Sequence, residues 1–354
     1  MRRWFSCRGC CDQQNSGLVL WTSVAVAIAS ALLVSLDAFG ETLIVSNRAD
    51  ETFQYWDTET QEELGTVKVG VGAHEFVVSP DGRTLVGSCY GSGPRHSKPD
   101  RRLVVVDLER PNEEPRMIDL GDHPRPNDMR YMADGETLVV TSEVRQCLLI
   151  VDVPSGAVIR EVKFDEPAGH MMAMSPDGAE AYVPCVSSGK VMIVNLDAAR
   201  TDAPVGIDTK LGAEGVDLSP DGRWLWVASN LTNWISVIDT ESRSVVQEFE
   251  APGSPFRVRF LPDGASVAVA HPISHELRIY DTETYELRHA VPMQQGLPTC
   301  LAVSADGDMV YAVCGQTQRI GAVNVEAGKV EHWYETGRTP DAVAITPLDV
   351  VFGE

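Results

Sequence analysis

Two imidazoles, a set of carboxyl groups and one guanidinium stand at matching positions of a sequence that keeps returning to itself. Seven residues before a recurrent aspartate lie His74, Asn127, His170, Glu214, Phe256, Thr299 and Ala342. The next positions are Glu75, Asp128, Met171, Gly215, Arg257, Cys300 and Val343. Core packing favours small apolar residues, as at Ala342 and Val343, so polar groups in four consecutive copies call for another account. An imidazole or carboxylate among His74, His170 and Glu214 could activate water, with Arg257 stabilising a developing oxyanion. The same three residues are a ligand set for a first-row metal, and His170, Met171 and Cys185 a softer alternative. They come from separate copies, however, and lone histidines and methionines are more often structural. No cofactor is expected, and a metal ion is the alternative. GxSxG and CxxCH motifs are absent from the sequence, which removes support for a serine esterase or an attached c-type haem.

The elements that must position these groups are short strands. SPDG occurs at 79–82, 175–178 and 219–222, with MADG at 132–135, LPDG at 261–264, SADG at 304–307 and a degenerate TPLD at 346–349. The marker aspartates Asp81, Asp134, Asp177, Asp221, Asp263, Asp306 and Asp349 are spaced 53, 43, 44, 42, 43 and 43 residues apart. In step with them, apolar segments end at Asp57, Asp107, Asp152, Asn195, Asp239, Asp281 and Asn324. Each copy reads as a strand, a PDG turn, a second strand, a polar loop, a third strand ending in Asp or Asn, and a fourth strand. Proline presets φ and glycine accepts positive φ in such turns. Four short strands per 40–45 residues is a β-propeller blade. The repeat region starts on a second strand (42–46) and ends on a first (342–346), so the two incomplete copies should make one blade and close the ring. The expected fold is all-β: one seven-bladed propeller of four-stranded antiparallel blades over residues 41–354.

In a propeller the first strands line the central channel, so the polar series falls at the channel mouth, where convergent groups suit a ligand. The tentative binding set is His74, Glu75, Asn127, Asp128, His170, Glu214 and Arg257, with Arg95, His96 and His271 from the loops over the same mouth. The alternative is a solvated channel with harmless polar walls. The loop from Tyr90 to Arg101 in the second blade is enlarged and basic, with Arg95 and His96, and would suit a carboxylate or phosphate. His271 and His275 occupy the corresponding loop of the sixth blade. Cys300 and Cys314 flank the seventh-blade turn symmetrically and are either a cross-strand disulfide or two buried thiols.

The pattern of an inner strand, SPDG, a further strand and then Val237-Ile238-Asp239-Thr240 resembles the YVTN-type propellers. The resemblance covers essentially all of residues 41–354. It implies a secreted or surface protein related in fold to the lactonase-like propellers. Members bind or hydrolyse different things, so the resemblance leaves function open. A fainter likeness, resting on the repeats alone, is to propellers that accompany quinone-dependent alcohol oxidation in the periplasm. Two functions are carried forward: a non-catalytic propeller that binds a small anionic ligand or a protein partner, and a lactone-type hydrolase.

Composition narrows the setting. The 354 residues carry 29 Lys and Arg against 51 Asp and Glu, a net charge of −22. Such acidity argues against nucleic acid, whose binders replace counterions with basic side chains. Arg2, Arg3 and Arg8 precede an uncharged run from Leu18 to Leu36 and then Ala38-Phe39-Gly40, which reads as an export signal over residues 1–40. An uncleaved anchor is the alternative, and it is the one membrane attachment expected. Cleavage removes three Arg and two Asp and leaves −23. A periplasmic or secreted monomer follows. Five of the eight cysteines would then remain, so at least one is unpaired within the chain.

Overall fold

The computed structural model describes residues 40–352, apart from 93–97 and 201. Residues 1–39, which hold nearly all of the expected export signal, lie outside the described residues, as do Arg95 and His96. The rest is strand and turn, in seven four-stranded antiparallel sheets. In six blades the strands follow chain order from the innermost outward. The remaining blade joins Pro340–Thr346, innermost, to Thr42–Asn47, Thr52–Asp57 and Glu63–Lys68. Closure is antiparallel, with Thr42 opposite Thr346 and Ile44 opposite Ala344. The free edge of an open array is thereby removed.

Local chemistry explains the repeat. In the fifth blade Ser219 Oγ donates to Asp221 Oδ1 (2.5 Å) and accepts from Trp224 N (2.8 Å), while Arg223 N donates to Asp221 Oδ1 (3.1 Å). Gly222 sits at φ +77°, and a Cβ there would meet Pro176 of the preceding blade at 2.8 Å. Ser79–Asp81, Ser175–Asp177 and Ser304–Asp306 repeat the serine–aspartate bond. The second marker caps another turn: Asp239 Oδ1 accepts from Glu241 N and Ser242 N. Both aspartate series, Asp349 of the degenerate copy apart, are therefore turn caps, which is why they recur so regularly.

Packing between blades supplies the core. Phe53 of the first blade meets Phe76 of the second edge-to-face, 4.6 Å between centroids. Trp226, fully buried, packs against Phe249, Phe260 and Tyr280 across the fifth and sixth blades. Aromatic pairs of this kind add stability beyond the area they bury.

Cys300 and Cys314 do not pair; all five cysteines in the described residues are free and buried. A bulge at Thr299 shifts the register, so Cys300 faces Val313 and Cys314 faces Pro298. Cys300 packs with Leu43 and Val45 of the first blade, and Cys314 with Ala268 and Ala270 of the sixth. The thiols sit on opposite sides of one sheet, which no disulfide can bridge.

Candidate functional site

The repeat sets the height of each inner-strand residue, and ring closure brings them face to face. His74 precedes the inner strand Phe76–Val78, His170 precedes Ala173–Met174, and Asn127 and Glu214 lie within Pro126–Tyr131 and Ala213–Leu218. These four, from consecutive blades, form one connected group. Asn127 Nδ2 and His170 Nε2 are 3.0 Å apart, and Glu214 Oε1 is 3.7 Å from the same nitrogen. The His74 and His170 rings stand 6.3 Å apart, edge to face. Both side chains keep slightly under a fifth of their surface exposed, so the group is reachable from solvent.

Three further residues complete this group. Tyr90 packs against His74 (5.0 Å between centroids) and His170 (6.1 Å), and its hydroxyl donates to Glu143. Glu143 also lies 3.9 Å from His170 Nδ1. Asn230 Nδ2 donates to Glu214 Oε2. On the other flank Asp341 accepts from His74 Nδ1 at 2.8 Å and pairs with Arg48 at 2.9 Å.

Electrostatics divide these groups. Burial pushes the Glu214 carboxyl up to about 7, against the pull of Arg257 and Asn230. Burial opposes charge on His74, but Asp341 outweighs it and raises the imidazole above its ordinary value. Burial likewise opposes charge on Asp341, yet His74 and Arg48 hold it below the usual carboxylate range. Burial, with Glu143 beside it, raises Tyr90 to about 12. The group therefore sets a carboxyl that exchanges its proton near pH 7 beside an imidazole biased toward its charged form.

Deeper in the channel the remaining candidates do structural work. Arg257, 2% exposed, crosses the channel to Glu75, 5% exposed, and donates Nε to Thr299 O at 3.4 Å. Its charge is committed to Glu75, so the oxyanion role expected for it lacks a free guanidinium edge in solvent. Asp128 pairs with Arg130 (2.5 Å) and accepts Met172 N of the next blade (2.9 Å). Asp217 does the same for Phe260 N, 2.7 Å away. These inner-strand acids stitch blade to blade. Gly215 lies between them for a steric reason: a Cβ there would fall 1.9 Å from the Phe256 carbonyl oxygen.

Other candidates lie elsewhere. His271 is fully buried at the end of Ser266–His271, against Tyr280, and burial drives it down to about 3. Met171 and Cys185 belong to different core clusters, so the soft-ligand trio does not assemble. Among the described residues, the donor atoms of His74, His170 and Glu214 do not come within 4.8 Å of one another as a set. Tyr90, Glu143 and Asn230, which sequence reasoning did not assign to the site, share a second phase of the repeat, nine residues after Asp81, Asp134 and Asp221. Arg48 likewise directly follows the second strand of its blade. Reading that phase alongside the first would have found them.

The chain matches no protein-family model, and no curated protein matches it. Solved structures do share its architecture. Hydrazine synthase of Kuenenia stuttgartiensis is 19% identical, with a TM-score of 0.67, covering 78% of this chain and 96% of that one. A candidate 6-phosphogluconolactonase of Bacteroides fragilis is 12% identical, with a TM-score of 0.70, covering 88% of this chain and 99% of that one. The Cps50 (Swd1) propeller domain of Myceliophteria thermophila is 14% identical, with a TM-score of 0.64 and coverages of 78% and 94%. Likeness at these identities establishes a shared β-propeller fold, one that serves proteins of quite different function.

Proposed function

We propose that this propeller is an exported protein that binds a small hydroxylated acid at its channel mouth, over His74, Tyr90, His170 and Glu214, without transforming it. The observation that carries the reading is the convergence of side chains from consecutive blades into one solvent-reachable group of mixed donors and acceptors. Buried polar atoms at the mouth support it too: among the described residues, Asn127 Oδ1 and Asn230 Oδ1 have no hydrogen-bond partner. Such atoms are ordinarily satisfied by water or a ligand. On the His74 flank Arg48 and the imidazole both stand against the single carboxyl of Asp341, an arrangement that favours one negative charge and disfavours two.

Calorimetric titration with gluconate, glucono-1,5-lactone and 6-phosphogluconate tests this. Gluconate should bind best, and His170→Ala and Glu214→Ala should each weaken it at least about tenfold, as expected when a buried polar group loses its partner. Binding unchanged in both variants would sink the proposal. Glu214, able to exchange a proton near neutral pH beside His170, favours one second reading, a lactone hydrolase. Lactone hydrolysis abolished by Glu214→Gln would replace the binding reading with that one. Export is checked separately: the secreted or periplasmic protein should begin at Glu41.

A further inference from the structure

A second cluster of metal-ligating side chains lies away from the channel, at the seam between the second and third blades. Cys147 opens the third strand of the third blade, Cys147–Asp152, and Glu161 lies on the fourth, Ala157–Lys163. Cys147 is opposite Lys163 and Glu161 opposite Leu149, so Cys147 and Glu161 share one face of the sheet as diagonal neighbours. That face meets the second blade: Cys147 packs with Val86, Leu103 and Leu120. His123, in the connection between the two blades, closes over it. His123 Nδ1 lies 3.9 Å from Cys147 Sγ, and His123 Nε2 lies 3.7 Å from Glu161 Oε2. One donor atom from each of the three residues falls within 4.8 Å of the others.

We propose that His123, Cys147 and Glu161 bind a zinc-class divalent cation. Thiolate, imidazole and carboxylate are the donors such an ion takes, and three of them with a water complete a tetrahedron. Donor separations in that tetrahedron are about 3.4–3.6 Å from ordinary zinc–ligand lengths; with one ring nitrogen of His123 as the donor the present set lies within 4.8 Å, so the side chains must close by up to about 1.3 Å on the ion. A divalent ion on one thiolate and one carboxylate is electrically neutral, which suits a half-buried place. Cys147 is fully buried, His123 is 16% exposed and Glu161 34% exposed, so the open side faces solvent for the water. A surface recess lined by Asp122, His123, Gln146 and Glu161 gives the ion its path. Two cations stand nearby. Lys163, 66% exposed, lies 3.8 Å from Glu161 and can swing outward, and Arg145 is held by the Asp122 carbonyl. The ion would fasten the connection between two blades to the outer strands of the third.

Chelator-treated protein, dialysed against Co2+ and separately against Zn2+, tests the assignment. Co2+ should bind at one equivalent with a thiolate-to-metal charge-transfer absorption in the near ultraviolet. Zn2+ at a hundredfold excess over its dissociation constant should raise the unfolding temperature by about 4 °C. Cys147→Ser should abolish the charge-transfer band, and His123→Ala should weaken binding at least about tenfold. His170→Ala, altered only in the channel, should bind as the parent does. If loss of the buried thiol prevents folding, Glu161→Gln on the half-exposed strand should show the same weakening. Absence of Co2+ binding, a band that survives Cys147→Ser, or binding lost in His170→Ala would each overturn the site.

Discussion

Arg257→Met should lower the free energy of unfolding by about 3–5 kcal/mol, the usual consequence of leaving one member of a buried ion pair without its counter-charge. Glu75 is 5% exposed, so solvent has little access to replace the guanidinium. The loss would not stop there, because the Arg257 charge also favours ionised Asp128, Asp341 and Glu214. Glu75→Gln combined with Arg257→Met should recover a large part of the loss, since a neutral pair in the same volume leaves nothing charged unpaired. Urea unfolding of the parent, both single variants and the double variant measures this directly. A loss below about 1 kcal/mol for Arg257→Met, the scale of an exposed pair, would show that the channel is wetter than its burial indicates.

Glu214→Gln should stabilise the protein at pH 8 and leave it nearly unchanged at pH 4. The folded carboxyl is raised from 4.5 to about 7 by burial, so the folded state favours the neutral form. Below the unfolded value both states are protonated and the group costs nothing. As pH rises past it the unfolded chain ionises first, and stability falls until the folded carboxyl ionises near 7. The full difference is roughly 3 kcal/mol from the size of that shift. Turn aspartates such as Asp81, Asp177 and Asp221 carry the opposite sign. Their stabilisation is present above their unfolded value and is lost as pH falls through their lowered folded values. They are common to both proteins and cancel when variant and parent are compared. A gain that is flat from pH 4 to 8 would rule out a raised Glu214. The same titration should give gluconate binding a midpoint near pH 7 that Glu214→Gln removes.

The seven blades were legible because each is written in turn chemistry that needs no tertiary partner. Ser219, Asp221 and Gly222 close their hairpin with bonds inside six consecutive residues, Ser219 to Trp224, so the motif recurs wherever the hairpin does. Strand limits came out within one or two residues for the same reason. Phase within the repeat also located His74, Asn127, His170 and Glu214, because inner strands begin at one height. Phase does not report side-chain direction. A bulge at Thr299 was enough to put Cys300 and Cys314 on opposite faces. His271 looked like a loop residue and is instead the last buried residue of a strand.

The amino-acid sequence by itself determined the architecture: one ring of seven blades, its closure by the last strand, and the level at which polar groups collect. Only the tertiary structure decided which of those groups act together. Arg257 and Glu75 are 182 residues apart in the chain, and His74 and Asp341 are 267 apart. Local periodicity carries no information about such pairs, because their distance is set by the closing of the ring. The division between a solvent-reachable group at the mouth and locked ion pairs beneath it arises from burial, which exists only once the blades have packed.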